Sequence, residues 1–98
     1  MTIEQFRESV KEAAPPASLP PLLKALWWDA SGDFDQAHAI AQDEPSPDGA
    51  WVHAYLHRKE GDAFNAGYWY RQARQPHPKV SLEDEWKQIA ETFLGRIP

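Results

Sequence analysis

Two histidines on one short stretch open the chemical question. In Trp51-Val52-His53-Ala54-Tyr55-Leu56-His57 they stand one helical turn apart, and Glu60 follows within another turn. On a helix turning about 100° per residue, Trp51, Tyr55, Val52 and Leu56 spread over roughly 0° to 140°, and Glu60, His53 and His57 over roughly 180° to 240°. The histidines and the glutamate thus form a stripe beside the apolar one. Two imidazoles one turn apart are half of a zinc site in geometry. The glutamate that a metalloprotease places between its histidines is absent, and no third ligand stands at a diagnostic spacing. His38 or Asp35 completes a site only if the fold carries it there. The sequence therefore predicts no metal and no cofactor, with His38, His53 and His57 as the only candidates.

A second dense stretch is Tyr68-Trp69-Tyr70-Arg71. Consecutive helical residues point in different directions, so all three aromatics cannot be core. Tyr68 is expected at the surface, where an exposed aromatic suits a partner or a homodimer contact. Arg71 and Arg74 fall near a helix C-terminus, where cations favour the dipole. Asp29, Asp33 and Asp35 read as helix caps. No phosphate-binding glycine loop, nucleophile elbow or aspartate-rich calcium loop occurs.

Composition bounds the function class. The 98 residues carry 10 Lys plus Arg against 15 Asp plus Glu, a net charge of −5, and no basic run. Nucleic-acid binding draws on clustered cations, so a nucleic-acid partner is not expected. There is no cysteine, which removes disulfides, thiolate nucleophiles and cysteine-ligated zinc. No apolar stretch approaches the ~18 residues of a membrane span, and the charged start Thr2-Ile3-Glu4-Gln5 lacks a signal-peptide core. A cytoplasmic, bacterial-type protein with no membrane partner is the expectation. Five tryptophans serve either to fill a small core or to line a binding surface.

The elements that must position these residues are helical. Alanine is plentiful, β-branched residues are few, and apolar residues recur at three and four. One domain over residues 1–98 is expected. Its parts are an N-terminal helix within 1–13, capped by Thr2 and Gln5, and a proline-rich connector, 14–21. A first hairpin spans 22–42, a second 50–75 after a solvated loop at 43–49, and a C-terminal helix 81–95 carries Trp86, Ile89 and Phe93 on one stripe. Shifting the chain by 29 lays Ala25, Gly32, Asp33 and Ala37 over Ala54, Gly61, Asp62 and Ala66. Each unit reads helix, Gly-Asp turn, helix. The fold class predicted is all-α: a compact array of five to six helices built on two hairpins with flanking capping helices.

The second unit, with Ala54, Gly61-Asp62, Ala66, Tyr70, Ala73 and Pro78, resembles a tetratricopeptide or Sel1-like helical repeat. The match is strong over 50–78 and divergent elsewhere. The resemblance implies a non-catalytic protein- or peptide-binding module, its groove lined by Trp51, Tyr55, Arg58 and Lys59 together with Leu22, Leu26 and Asp29. It also implies that His53 and His57 point into the packing between helices, with Tyr70 as the natural partner of His57. The alternative expectation is a small-molecule or metal-binding protein, conceivably an enzyme, built on His38, His53, His57 and Tyr70.

Overall fold

The computed structural model describes residues 1–97. Six helices follow in order: α1 Ile3–Ser9, α2 Pro21–Ala30, α3 Phe34–Gln42, α4 Pro47–Lys59, α5 Ala63–Ala73 and α6 Leu82–Leu94. No strand occurs among the described residues. None of their helices is long and apolar enough to cross a membrane. The accessible surface of 5765 Å² agrees with the about 5,700 Å² that size scaling gives for a compact chain of this mass.

Local chemistry sets the ends of the helices. Thr2 and Gln5 form a reciprocal capping box on α1. Asp33, Ser46, Asp62 and Ser81 each accept the backbone N–H three residues on, at Gln36, Gly49, Asn65 and Asp84. Three boundaries differ from the sequence expectation. The first helix stops at Ser9, because the chain tightens into successive three-residue bonds from Val10, Lys11 and Glu12 to Arg7, Glu8 and Ser9. The fourth helix starts at Pro47 and not Ala50, since Pro47 occupies the first helical position behind the Ser46 cap. The expected loop 43–49 therefore surrenders its last three residues to α4. The fifth helix closes at Ala73, with Arg74 in the left-handed conformation.

The two hairpins, α2–α3 and α4–α5, repeat bond for bond at the 29-residue offset. The Asp33 N–H meets the Trp28 carbonyl at 2.9 Å, and the Asp62 N–H meets His57 at 2.9 Å. The Gly32 N–H meets Asp29 at 3.1 Å, and the Gly61 N–H meets Arg58 at 3.1 Å. Both turns need φ of +97° or +86°, which glycine adopts without a side-chain clash.

The main core gathers Phe6, Leu23, Leu26, Trp27, Val52, Leu56, Trp86, Ile89 and Phe93 between α1, α2, α4 and α6. Trp27 and Trp86 are buried, and each indole N–H finds an acceptor, Ser9 Oγ at 3.2 Å and the Leu26 carbonyl at 3.1 Å. A smaller cluster of Ala54, Ala66 and Tyr70, flanked by Trp51 and Trp69, joins α4 to α5. Small residues there let the two helices approach. Between α3 and α4 the connection is short and close. A Cβ on Gly49 would lie 2.1 Å from the Glu44 carbonyl oxygen, so only glycine permits this turn. The turn brings His38 on α3 against His53 on α4.

Candidate functional site

Three histidines meet on the face shared by α3, α4 and α5. His38 Nε2 lies 3.0 Å from His53 Nε2. The His53 and His57 rings stack at 4.7 Å, and His38 stands edge-on to both, at 4.7 Å and 5.5 Å between centroids. One ring nitrogen from each of the three falls within 4.8 Å of the others. Trp69 stacks on His53 at 4.2 Å, and Phe34 lies parallel to His38 at 6.0 Å. His53 is buried, with 6% exposure, and His38 and His57 are half-buried. Burial thus grades across the cluster, a shallow bowl in the sense that His53 lies deepest and the other two imidazoles nearer the surface.

The surrounding charges fix protonation. Burial, with the neighbouring His38 and His57, pulls the His53 imidazole down to about 4, so it is neutral at pH 7. The Glu60 carboxylate meets His57 Nδ1 at 2.6 Å, and Asp62 Oδ2 lies 3.9 Å from the same nitrogen. The side-chain amide and backbone N–H of Asn65 hold the Asp62 carboxyl below the usual carboxylate range. Nδ1 of His57 therefore donates to Glu60, and Nε2 is the ring nitrogen that faces neither carboxylate. Between His38 and His53 only one Nε2 donates and the other accepts. A single proton holds that contact.

The partner expected for His57 is corrected. Tyr70 does not reach it. Its hydroxyl donates to Glu85, at 2.8 Å and 2.6 Å from the two carboxylate oxygens, and Arg58 donates to Glu85 Oε1 at 2.9 Å and to the Val80 carbonyl. Tyr70 thus belongs to a different cluster from the histidines. Burial and the Glu85 carboxylate raise its hydroxyl far above the ordinary tyrosine value. The alternative site of four residues reduces to the three histidines, with Glu60 behind one of them.

The four groove candidates also part company. Tyr55 is buried and donates to Asp29 Oδ2 at 2.8 Å, and Lys59 donates to Asp29 Oδ1 at 2.8 Å. These line a depression of about 350 Å³ with Arg7, Leu82 and Trp86. Trp51 instead packs edge-on against Phe93 at 6.0 Å and borders the 75–80 segment, on the side where Arg58 meets Val80. Asp29, read as a cap, is in fact a buried ion-pair acceptor at 4% exposure. Leu26 is buried in the core, and Leu22 packs against it from the rim. Tyr68 is exposed as expected, and Phe64, one turn earlier, is 85% exposed.

Sequence reasoning missed Glu85 and the stacking of Trp69. Trp69 stands opposite Ile40 in the repeat register, which offers no hint of an imidazole partner. Glu60 was legible through its place on the histidine stripe. Neither family models, nor curated proteins, nor solved structures match this chain.

Proposed function

We propose that the protein binds a divalent late first-row transition ion, zinc foremost, through His38, His53 and His57. The observation that carries this reading is the approach of three ring nitrogens, from two helices, to within 4.8 Å of one another. Imidazole suits zinc, copper, nickel and cobalt, and the buried His53 ring is neutral at pH 7. Tetrahedral zinc with bonds of roughly 2.0–2.1 Å holds its nitrogens roughly 3.3 Å apart. The 3.0 Å between His38 and His53 is close to that spacing. An ion takes the place of the shared proton, and the third nitrogen, from His57, lies within 4.8 Å of the other two. Glu60 on Nδ1 of His57 is the carboxylate that typically orients a ligating imidazole and raises its basicity.

The test is a histidine-resolved NMR titration at pH 7.5 with zinc. All three ring systems are expected to shift together and saturate at one equivalent, and His53→Leu abolishes the response. Ring resonances of His38, His53 and His57 that stay put at one equivalent of micromolar zinc overturn the reading.

A second reading, a tetratricopeptide-like peptide-binding module, draws support from the depression beside α1. There Arg7 lies over the Trp86 ring at 5.7 Å, and its acidic neighbour Glu83 is exposed and 3.9 Å away. A cation above an aromatic wall suits a peptide carboxylate. This reading ranks second because Tyr55, Arg58 and Lys59 already spend their polar atoms on Asp29, Glu85 and Val80. Failure of the zinc titration would bring it forward.

A further inference from the structure

Resting on that metal reading, we infer that the ion bound by His38, His53 and His57 keeps an open coordination position, which holds an exchangeable water and takes small monovalent anions. The site would then serve a reacting Lewis acid and not a structural cross-link.

Three observations carry this inference. The first is ligand number and charge. Three imidazoles supply three neutral donors, one short of the four that close a structural zinc site. The ion retains its full double charge, so the remaining position attracts an anion or a polarised water.

The second is where the nearby carboxylates point. Among the described residues, Glu60 and Asp62 are the acidic groups clustered with this site, and they do so through His57. Both face Nδ1 of that ring, at 2.6 Å and 3.9 Å, and not the Nε2 that is left for the ion. Glu60 is placed to orient a ligand, not to be one.

The third is the shape of the bowl. His53 is buried and stacked on Trp69, and the Phe34 ring lies parallel to that of His38. The rim histidines remain half-buried. Solvent therefore reaches two of the three rings, while the third is buried against Trp69. An apolar wall around such a centre strengthens its electrostatic pull on whatever fills the open position.

Cobalt(II) is the probe, because its visible absorption reports coordination number and ligand identity. The full chain is loaded with one equivalent of Co²⁺ and titrated with azide. The expected result is an intense four-coordinate spectrum that shifts saturably, with one azide per cobalt. Glu60→Ala is expected to weaken Co²⁺ binding roughly 10- to 100-fold, the size typical of a lost orienting carboxylate, and to leave the azide response intact. A one-to-one cobalt complex whose spectrum ignores azide overturns the open position while sparing the metal reading. A spectrum that responds to azide only after Glu60→Ala overturns it too, since Glu60 would then be the fourth ligand. Failure of Co²⁺ to bind at all overturns both readings.

Discussion

Two regions of this protein place polar side chains at helix interfaces, and they do it in opposite ways. On one side lie two matched latches. Asp29 on α2 receives Tyr55 and Lys59 from α4, and Glu85 on α6 receives Tyr70 from α5 and Arg58 from α4. Each buried carboxylate meets one hydroxyl and one cation. On the other side, His53 meets His38, a base against a base, with one proton between them. All buried side-chain nitrogens and oxygens among the described residues have partners, so satisfaction alone does not separate the two regions. Charge does. The latches are complete within the chain and tie α4 to its neighbours. In the histidine bowl the central contact is between two imidazoles, and three ring nitrogens lie within 4.8 Å of one another. On the proposed reading, buried polarity marks a site where, as between His38 and His53, it meets no opposite charge.

The largest expected effect breaks a latch. Glu85→Ala leaves the Arg58 guanidinium and the Tyr70 hydroxyl without their common acceptor. Removing one partner of a buried pair costs about 3–5 kcal/mol. Urea unfolding at pH 7.5 is expected to report a loss of that order, with zinc stoichiometry per folded molecule unchanged. A loss below about 1 kcal/mol would erase the distinction between latch and bowl.

The next effect belongs to the bowl, and it depends on pH. His53 is held near 4 in the folded state against an ordinary value of 6.5. Below pH 6.5 the unfolded chain takes up a proton that the folded chain refuses. Stability is therefore complete above pH 6.5, falls as the pH drops toward 4, and levels off below that. The drop amounts to about 2–3 kcal/mol. Metal-free protein unfolded in urea at a series of pH values checks it. In His53→Leu this slope should vanish, and stability at pH 7.5 should change by less than about 1.5 kcal/mol, since a leucine of similar bulk still packs against Trp69. A slope that survives the substitution would locate the acid sensitivity elsewhere.

How far each region was legible follows from the range of its interactions. The caps at Thr2, Ser81, Asp33 and Asp62 and the glycine turns are local chemistry, so their residues announce them. Pro47 falls within the expected loop 43–49, although a proline behind a serine cap also opens a helix, and that ambiguity moved the start of α4. The stripe of His53, His57 and Glu60 lies on one helix and could be read from spacing. His38 enters only through the α3–α4 turn that Gly49 permits, a tertiary fact that no spacing rule carries. The latches were opaque for the same reason. Glu85 sits in the acidic first turn of α6, where Glu83 and Asp84 are solvated, and nothing in the string separates it from them. Only the approach of Arg58 and Tyr70 from two other helices makes it a buried acceptor.

The smallest effect sharpens the comparison inside the latches themselves. Lys59 and Arg58 occupy equivalent roles, yet the Lys59 side chain is 40% exposed and that of Arg58 is 22%. Lys59 gives Asp29 one bond at 2.8 Å, and Tyr55 continues to hold the other carboxylate oxygen when the lysine is gone. Arg58 makes two bonds, one to Glu85 and one to the Val80 carbonyl, and so also anchors the segment entering α6. Lys59→Ala is accordingly expected to cost no more than about 1 kcal/mol, the range of half-exposed ion pairs, and to cost less as salt rises. Urea unfolding at low and high sodium chloride measures both. A cost above about 2 kcal/mol, insensitive to salt, would mean that Asp29 depends on the lysine as fully as Glu85 depends on the arginine. The two latches would then be equal in strength despite their unequal burial.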